Sequence, residues 1–295
     1  MRADPSASEI LKKAGIPMDR SRFAPRLCFM AAAVLTLLGA VIRTVCFLTA
    51  YDSSTGYLNP GFLTTLSTWL YFITPAVLIA VALMIPKDTL PSTLNQKLRA
   101  PSAILVALGL AAFSAVVLIR FAPAKGNILL APALLGIPAA LYYGISATRN
   151  GRYPDWLSLL GFIPVFWCIT AVADLYFDHF VTMNSPVKVS LQVGLMGFMV
   201  AMLGELRFRI GRPLPRVASV FFGISGYTCL TAAIPLLVAT GARVLSHPLH
   251  LMYAIVLLTA GLYSLYLLFQ YTCLPLPVES TEAQASATES DSTAQ

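Results

Sequence analysis

Any chemistry in this chain would have to come from a few ionisable side chains set among long apolar runs. Arg43 stands nine residues before Asp52 in the first such run, which at the helical rise places it about 13 Å below the following loop. A charge at such a depth costs about 2.5 to 3.5 kcal/mol on insertion scales, so it should be paired or face a wet cavity. Asp174, one turn before Asp178 and at a similar depth in the fifth run, is the partner its position nominates. The expectation is an Arg43 to Asp174 pair joining spans one and five beneath a polar pocket that includes Asp178. The alternative is an Arg43 that snorkels to the headgroups and an interfacial Asp174.

The histidines, His179, His247 and His250, fall in loops on the same side as Asp178. Histidine and carboxylate suit zinc, yet His247-Pro-Leu-His250 lacks the spacing that puts two ligands on one helical face, so no metal site is assigned. A pH-responsive cluster is the other use of such residues. Glu205 precedes Arg209 by four residues near the opposite end of span six, where an i,i+4 ion pair accounts for it. Asp174 and Glu205 therefore sit at opposite ends of their helices, too far apart for an acid and base dyad. The sequence has no Ser/His/Asp set, no HExxH and no glycine-rich phosphate loop, and no catalytic residue or cofactor is assigned. Its five cysteines are isolated and without CxxC spacing, which argues against a disulfide framework or a zinc site.

Prolines interrupt several runs at Pro75, Pro132, Pro138, Pro164 and Pro235. Discontinuous membrane helices can turn backbone polar groups toward a substrate. Span four, with Pro132, Gly136 and Pro138 together, is the expected place for a break, and a helix that is merely kinked there is the alternative to a binding site. Pro132 and Pro138 thus join Arg43, Asp174 and Asp178 as the substrate-binding candidates.

The elements that must position these residues follow from composition. With 57% hydrophobic and only 11% charged residues over 295 positions and a mean hydropathy of +0.75, the chain is too apolar for a soluble globule. Eight runs of roughly twenty apolar residues have the length a membrane-crossing helix needs. They are placed at Leu27–Ala50, Phe62–Ile85, Ser102–Phe121, Asn127–Ala147, Asp155–Phe177, Val187–Arg207, Arg216–Ala239 and Leu249–Leu274. The fold class is all-α, a polytopic transmembrane bundle of about eight spans. The first run is longer than a signal-peptide core and reads as a retained span.

Of the 20 Lys and Arg residues, fifteen flank the N-terminus and the even-numbered loops, and only Arg120, Lys125, Lys188 and Arg243 lie on the other side. The net charge of +7 is therefore topology information rather than nucleic-acid affinity. Both termini are expected in the cytoplasm of a cell membrane. The charge asymmetry and the lack of an N-x-S/T acceptor on the other side fit a bacterial one. The chain divides into a basic segment, 1–26, the membrane domain, 27–274, and an acidic tail, 275–295, whose composition cannot bury a core. Ser6–Ala14 reads as a solvated arm or, alternatively, as a short surface helix.

Spans one to four and five to eight share turn chemistry, Tyr51-Asp52 and Asn59-Pro60 against Phe177-Asp178 and Asn184-Ser185-Pro186. Two parallel four-helix repeats, or merely shared loop residues, would explain this. Gly194, Gly197, Ala201 and Gly204 form a small-residue stripe that should make span six the most tightly packed helix. Three functions fit: a small-molecule transporter or permease, a non-enzymatic membrane sensor or assembly partner, and an intramembrane or lipid-modifying enzyme. The first leads, with the bilayer and a small-molecule substrate as partners. The stripes also admit a homo-oligomer or a membrane partner protein.

Overall fold

The computed structural model describes residues 23–85, 96–121, 127–148, 155–178, 184–210, 214–245 and 247–274. The basic arm before residue 23, its surface-helix alternative, the acidic tail and His179 lie outside them.

The described chain is an all-α bundle containing eight helices long and apolar enough to cross a membrane. α1 (Phe23–Thr49) is followed by a small hairpin of β1 (Tyr51–Asp52) and β2 (Tyr57–Leu58), then α2 (Phe62–Leu83) and α3 (Gln96–Val116), which ends in a π-helical turn, Val117–Phe121. Next come α4 (Asn127–Thr148), α5 (Asp155–Leu160) with α6 (Ile163–Phe177), α7 (Pro186–Arg209), α8 (Pro215–Gly241) and α9 (Pro248–Cys273). Large apolar side chains cover the outside, among them Leu37, Phe62, Phe72 and Leu83, while Phe47, Leu78 and Trp167 fill the interior. An apolar exterior on helices of this length requires hydrocarbon as the outer solvent. The chain is a multi-pass membrane protein.

The helices alternate in direction. Residues from the end of α1, the end of α6, and the starts of α7 and α9 meet at one face, which also carries the β-hairpin. Residues from the start of α3, the end of α4, the end of α7 and the second half of α9 meet at the other. These are called the hairpin face and the termini face below.

Glycines set how close the helices come. An added Cβ at Gly39 of α1 would lie 2.9 Å from the Tyr227 ring on α8, one at Gly261 of α9 would lie 2.7 Å from Leu230, and one at Gly197 would collide with the Thr228 hydroxyl. Small residues at such crossings let backbones pack without a hydrophobic drive between lipid-solvated helices. α8 rather than α7 is the most buried span, because α1, α2, α7 and α9 all pack on it. α3, its counterpart in a duplicated chain, packs on α4 and α9 instead, so the helix neighbours are not two-fold symmetric.

The expected break in span four does not occur. α4 runs unbroken from Asn127 to Thr148 through Pro132 and Pro138, supported by α3 and α6 on either side. The discontinuity lies in span five, where Gly161 and Phe162 form a turn between α5 and α6. Pro164 sits in the first turn of α6, where its missing N–H has no intrahelical acceptor to lose.

The hairpin is held by its own side chains. Asp52 accepts from the Ser54 amide at 2.8 Å, the Ser54 hydroxyl at 2.7 Å and the Thr55 hydroxyl at 3.0 Å, and Gly56 takes the positive φ (75°) that the turn demands. Those donors, the Ser54 hydroxyl foremost, hold the Asp52 carboxyl below the ordinary carboxylate range.

Candidate functional site

A cavity of about 790 Å³ opens on the hairpin side between α2 and α7. Helical periodicity builds both walls. Thr64, Ser67, Thr68, Tyr71 and Pro75 stand at i, i+3, i+4, i+7 and i+11 of α2, one face of the helix. Pro186, Val189, Ser190, Val193, Met196, Gly197 and Val200 make the matching face of α7. Ile224 and Thr228 of α8 form the floor, and Tyr57, Leu58, Pro60 and Asn184 form the rim. α2 and α7 both pack on α8, yet they make at most marginal contact with each other, so the cavity is a cleft between two helices.

Arg43 enters this cleft from α1 and is only 7% exposed. Its Nη2 donates to the Ser190 hydroxyl and, at 3.3 Å, to the Pro186 carbonyl. The guanidinium lies 4.7 Å from the Tyr71 ring centroid and 5.7 Å from that of Phe47, a pair of cation–π contacts. Its Nε has no hydrogen-bond partner among the described residues. No carboxylate among the described residues pairs with it.

Asp174 does not meet Arg43. It accepts from the Tyr253 hydroxyl at 2.8 Å, on the far side of α7 from the cleft, and is 6% exposed. The reason is helix placement: α6 packs on α4 and α7, so the arm of Arg43 reaches the start of α7 before any α6 side chain. Asp178 belongs to the same neighbourhood as Asp174. Lys188 Nζ donates to its backbone carbonyl at 2.7 Å, and His250 Nε2 stands 3.8 Å from its carboxylate. Tyr253, Lys188 and His250 thus tie the hairpin-face ends of α6, α7 and α9 together. Among the described residues no group of three or more His, Cys, Asp or Glu could hold a metal ion. Pro132 and Pro138, inside unbroken α4, do not line the cleft.

A second polar cluster closes the termini face. Glu205 pairs with Arg209 as its spacing foretold, at 2.6 Å, but also with Arg99 of α3 at 2.7 Å, and all three side chains are buried. Tyr263 of α9 donates to the free carboxylate oxygen at 2.7 Å while accepting from Arg99 Nε at 2.7 Å, and Arg99 Nη2 donates to the Ser146 hydroxyl at 3.0 Å. Four helices, α3, α4, α7 and α9, are bolted together by one carboxylate and its donors. This is a structural lock.

The cleft hydroxyls were missed by a reading that looked for charges. The signal was present: four hydroxyl residues of span two share one face, an unusual density for a surface that otherwise meets lipid. Comparison of the chain with known protein families, with curated proteins and with solved structures gives no match, so no relative lends a residue role to this site.

Proposed function

We propose that the protein is a small-molecule permease of a cell membrane, with both termini in the cytoplasm and the cleft facing outward. The single observation that carries this reading is the 790 Å³ cleft with, in its wall, a buried arginine that pairs with no carboxylate among the described residues. That volume lies within the range of ligand pockets, and its wall mixes apolar surface with a few polar groups. Keeping Arg43 charged in such a place costs insertion free energy that packing alone would not demand, which favours a role in binding. The outward orientation is supported by the excess of Lys and Arg around the termini face.

A permease must also open toward the termini face, where Arg99, Glu205 and Arg209 would act as the gate. Single-cysteine labelling tests this in a Cys273→Ser background, the other four native cysteines being buried. Ser67→Cys, near the mouth, should react with a charged membrane-impermeant thiol reagent from the hairpin side. Val200→Cys, fourteen residues and about 21 Å along α7 from Pro186, should react from the termini side in a second state. Labelling of both positions from the hairpin side alone, under every condition and in a Glu205→Gln variant as well, would remove the permease and leave a binding protein.

A further inference from the structure

We propose that the cleft binds an amphiphile drawn from the hairpin-side leaflet, with an anionic headgroup on Arg43 and a single apolar chain lying between α2 and α7. The inference deepens the permease reading, and it rests on the same cleft without requiring transport.

Three observations converge. The first is charge. Arg99 and Arg209 are buried against a carboxylate, whereas Arg43 is held by one hydroxyl, one carbonyl and two aromatic faces, and its buried Nε has no hydrogen-bond partner among the described residues. A guanidinium cannot shed its proton in a protein, so the site carries a standing positive charge that an anion would neutralise. Carboxylate and phosphate oxygens match its forked donors.

The second is the gradient along the walls. Hydroxyl groups of Ser67, Thr68 and Ser190 gather around the depth of Arg43, while the deeper wall is mainly apolar, with Val193, Met196 and Val200 on α7 and the Thr228 hydroxyl on the floor turned back to the Ile224 carbonyl. From Val193 to Val200 the helix rises about 10 Å, a third of a hydrocarbon core roughly 30 Å thick. The apolar part of the cleft therefore holds the upper half or more of one leaflet's acyl chain. A small soluble anion would leave that length empty.

The third is access. α2 and α7 make at most marginal contact with each other, and Phe72, Val189 and Met196 of the cleft lining are exposed on the outside of the bundle, so the lipid beside them is the nearest reservoir of such molecules. Chain and headgroup can enter together without the headgroup crossing hydrocarbon.

Native mass spectrometry of the full-length chain in a non-ionic detergent tests this, with oleoyl lysophosphatidate as the probe. The unmodified protein should retain a single lysolipid. Arg43→Gln should retain at least about tenfold less, the loss expected for a charge-assisted hydrogen bond. Val193→Trp, which fills the apolar part and leaves the charge alone, should lose it by a similar factor. Inorganic phosphate retained as tightly as the lysolipid would overturn the amphiphile in favour of a soluble anion. Oleyl alcohol retained as tightly would show trapping by apolar contact alone, and undiminished retention by Arg43→Gln would do the same. Should both variants fail to fold, competition on the unmodified protein decides: oleate must displace the lysolipid and oleyl alcohol must not. Loss of lysolipid in Arg43→Gln with Val200→Cys never labelled from the termini face would keep this site and remove the permease. Two-sided labelling without any lysolipid retention would do the reverse.

Discussion

Two buried arginines at opposite faces of the bundle show how differently a membrane protein can house the same side chain. Arg99 is 3% exposed and Arg43 is 7% exposed, so burial does not separate them. Arg99 sits in a closed set, with Glu205, Tyr263 and Ser146 all in hydrogen-bond reach. Arg43 has no carboxylate among the described residues and borders the cleft. The lesson is that an intramembrane charge points to a ligand only when two further conditions hold: the counter-charge is missing and there is room for one.

The comparison breaks most directly at Glu205. Glu205→Ala should strand two buried guanidinium groups and cost about 3 to 5 kcal/mol, seen as a large fall in the thermal midpoint of the detergent-solubilised protein. A midpoint near that of the unmodified protein would mean the termini-face cluster is no lock. Tyr263→Phe removes one donor to Glu205 and one acceptor for Arg99 while leaving the ion pairs in place. It should cost about 1 to 3 kcal/mol in the same assay, because a buried polar group then lacks its partner.

Arg43→Met is the sharpening case, for it deletes a charge of similar burial yet strands no opposite charge among the described residues. Its stability should stay within about 1 kcal/mol of the unmodified protein, since the lost Ser190, Pro186 and ring contacts are offset by relief of a buried charge. A fall as deep as that of Glu205→Ala would show that Arg43 is structural. The smallest effect is expected at Asp52, an acid in water with only local donors. Its folded-state carboxyl titrates below the ordinary range, so its contribution to the hairpin is complete above the unfolded value and is lost as pH falls through the depressed one. The protection of the Gly56 amide, measured as its exchange rate relative to the unstructured rate at the same pH, should therefore fall in that acidic window, with the thermal midpoint of the bundle unmoved by Asp52→Asn.

How much of this was readable beforehand depends on what each residue interacts with. The eight spans came from run length alone, because hydrocarbon imposes that length on every crossing helix. Glu205 with Arg209 came from spacing within one helix. Arg43 was marked by its cost. Its partner was misassigned because the pairing depends on which helices adjoin, and helix order in a bundle leaves little trace in apolar sequence. The same gap hid Arg99, which looked like one more topology-setting cation at the start of span three. Pro132 and Pro138 misled for a local reason: a membrane helix supported on both flanks absorbs the missing N–H without parting, so proline density does not by itself locate a break.

α7 carries Ser190 in the cleft wall and Glu205 in the lock, fifteen residues and about 22 Å apart on one continuous rod. A rod of that kind does not stretch, so a tilt imposed at one end has to reappear at the other. A ligand seated against Ser190 would push on the same rod that the ion triad anchors, and any coupling between them would run equally in both directions.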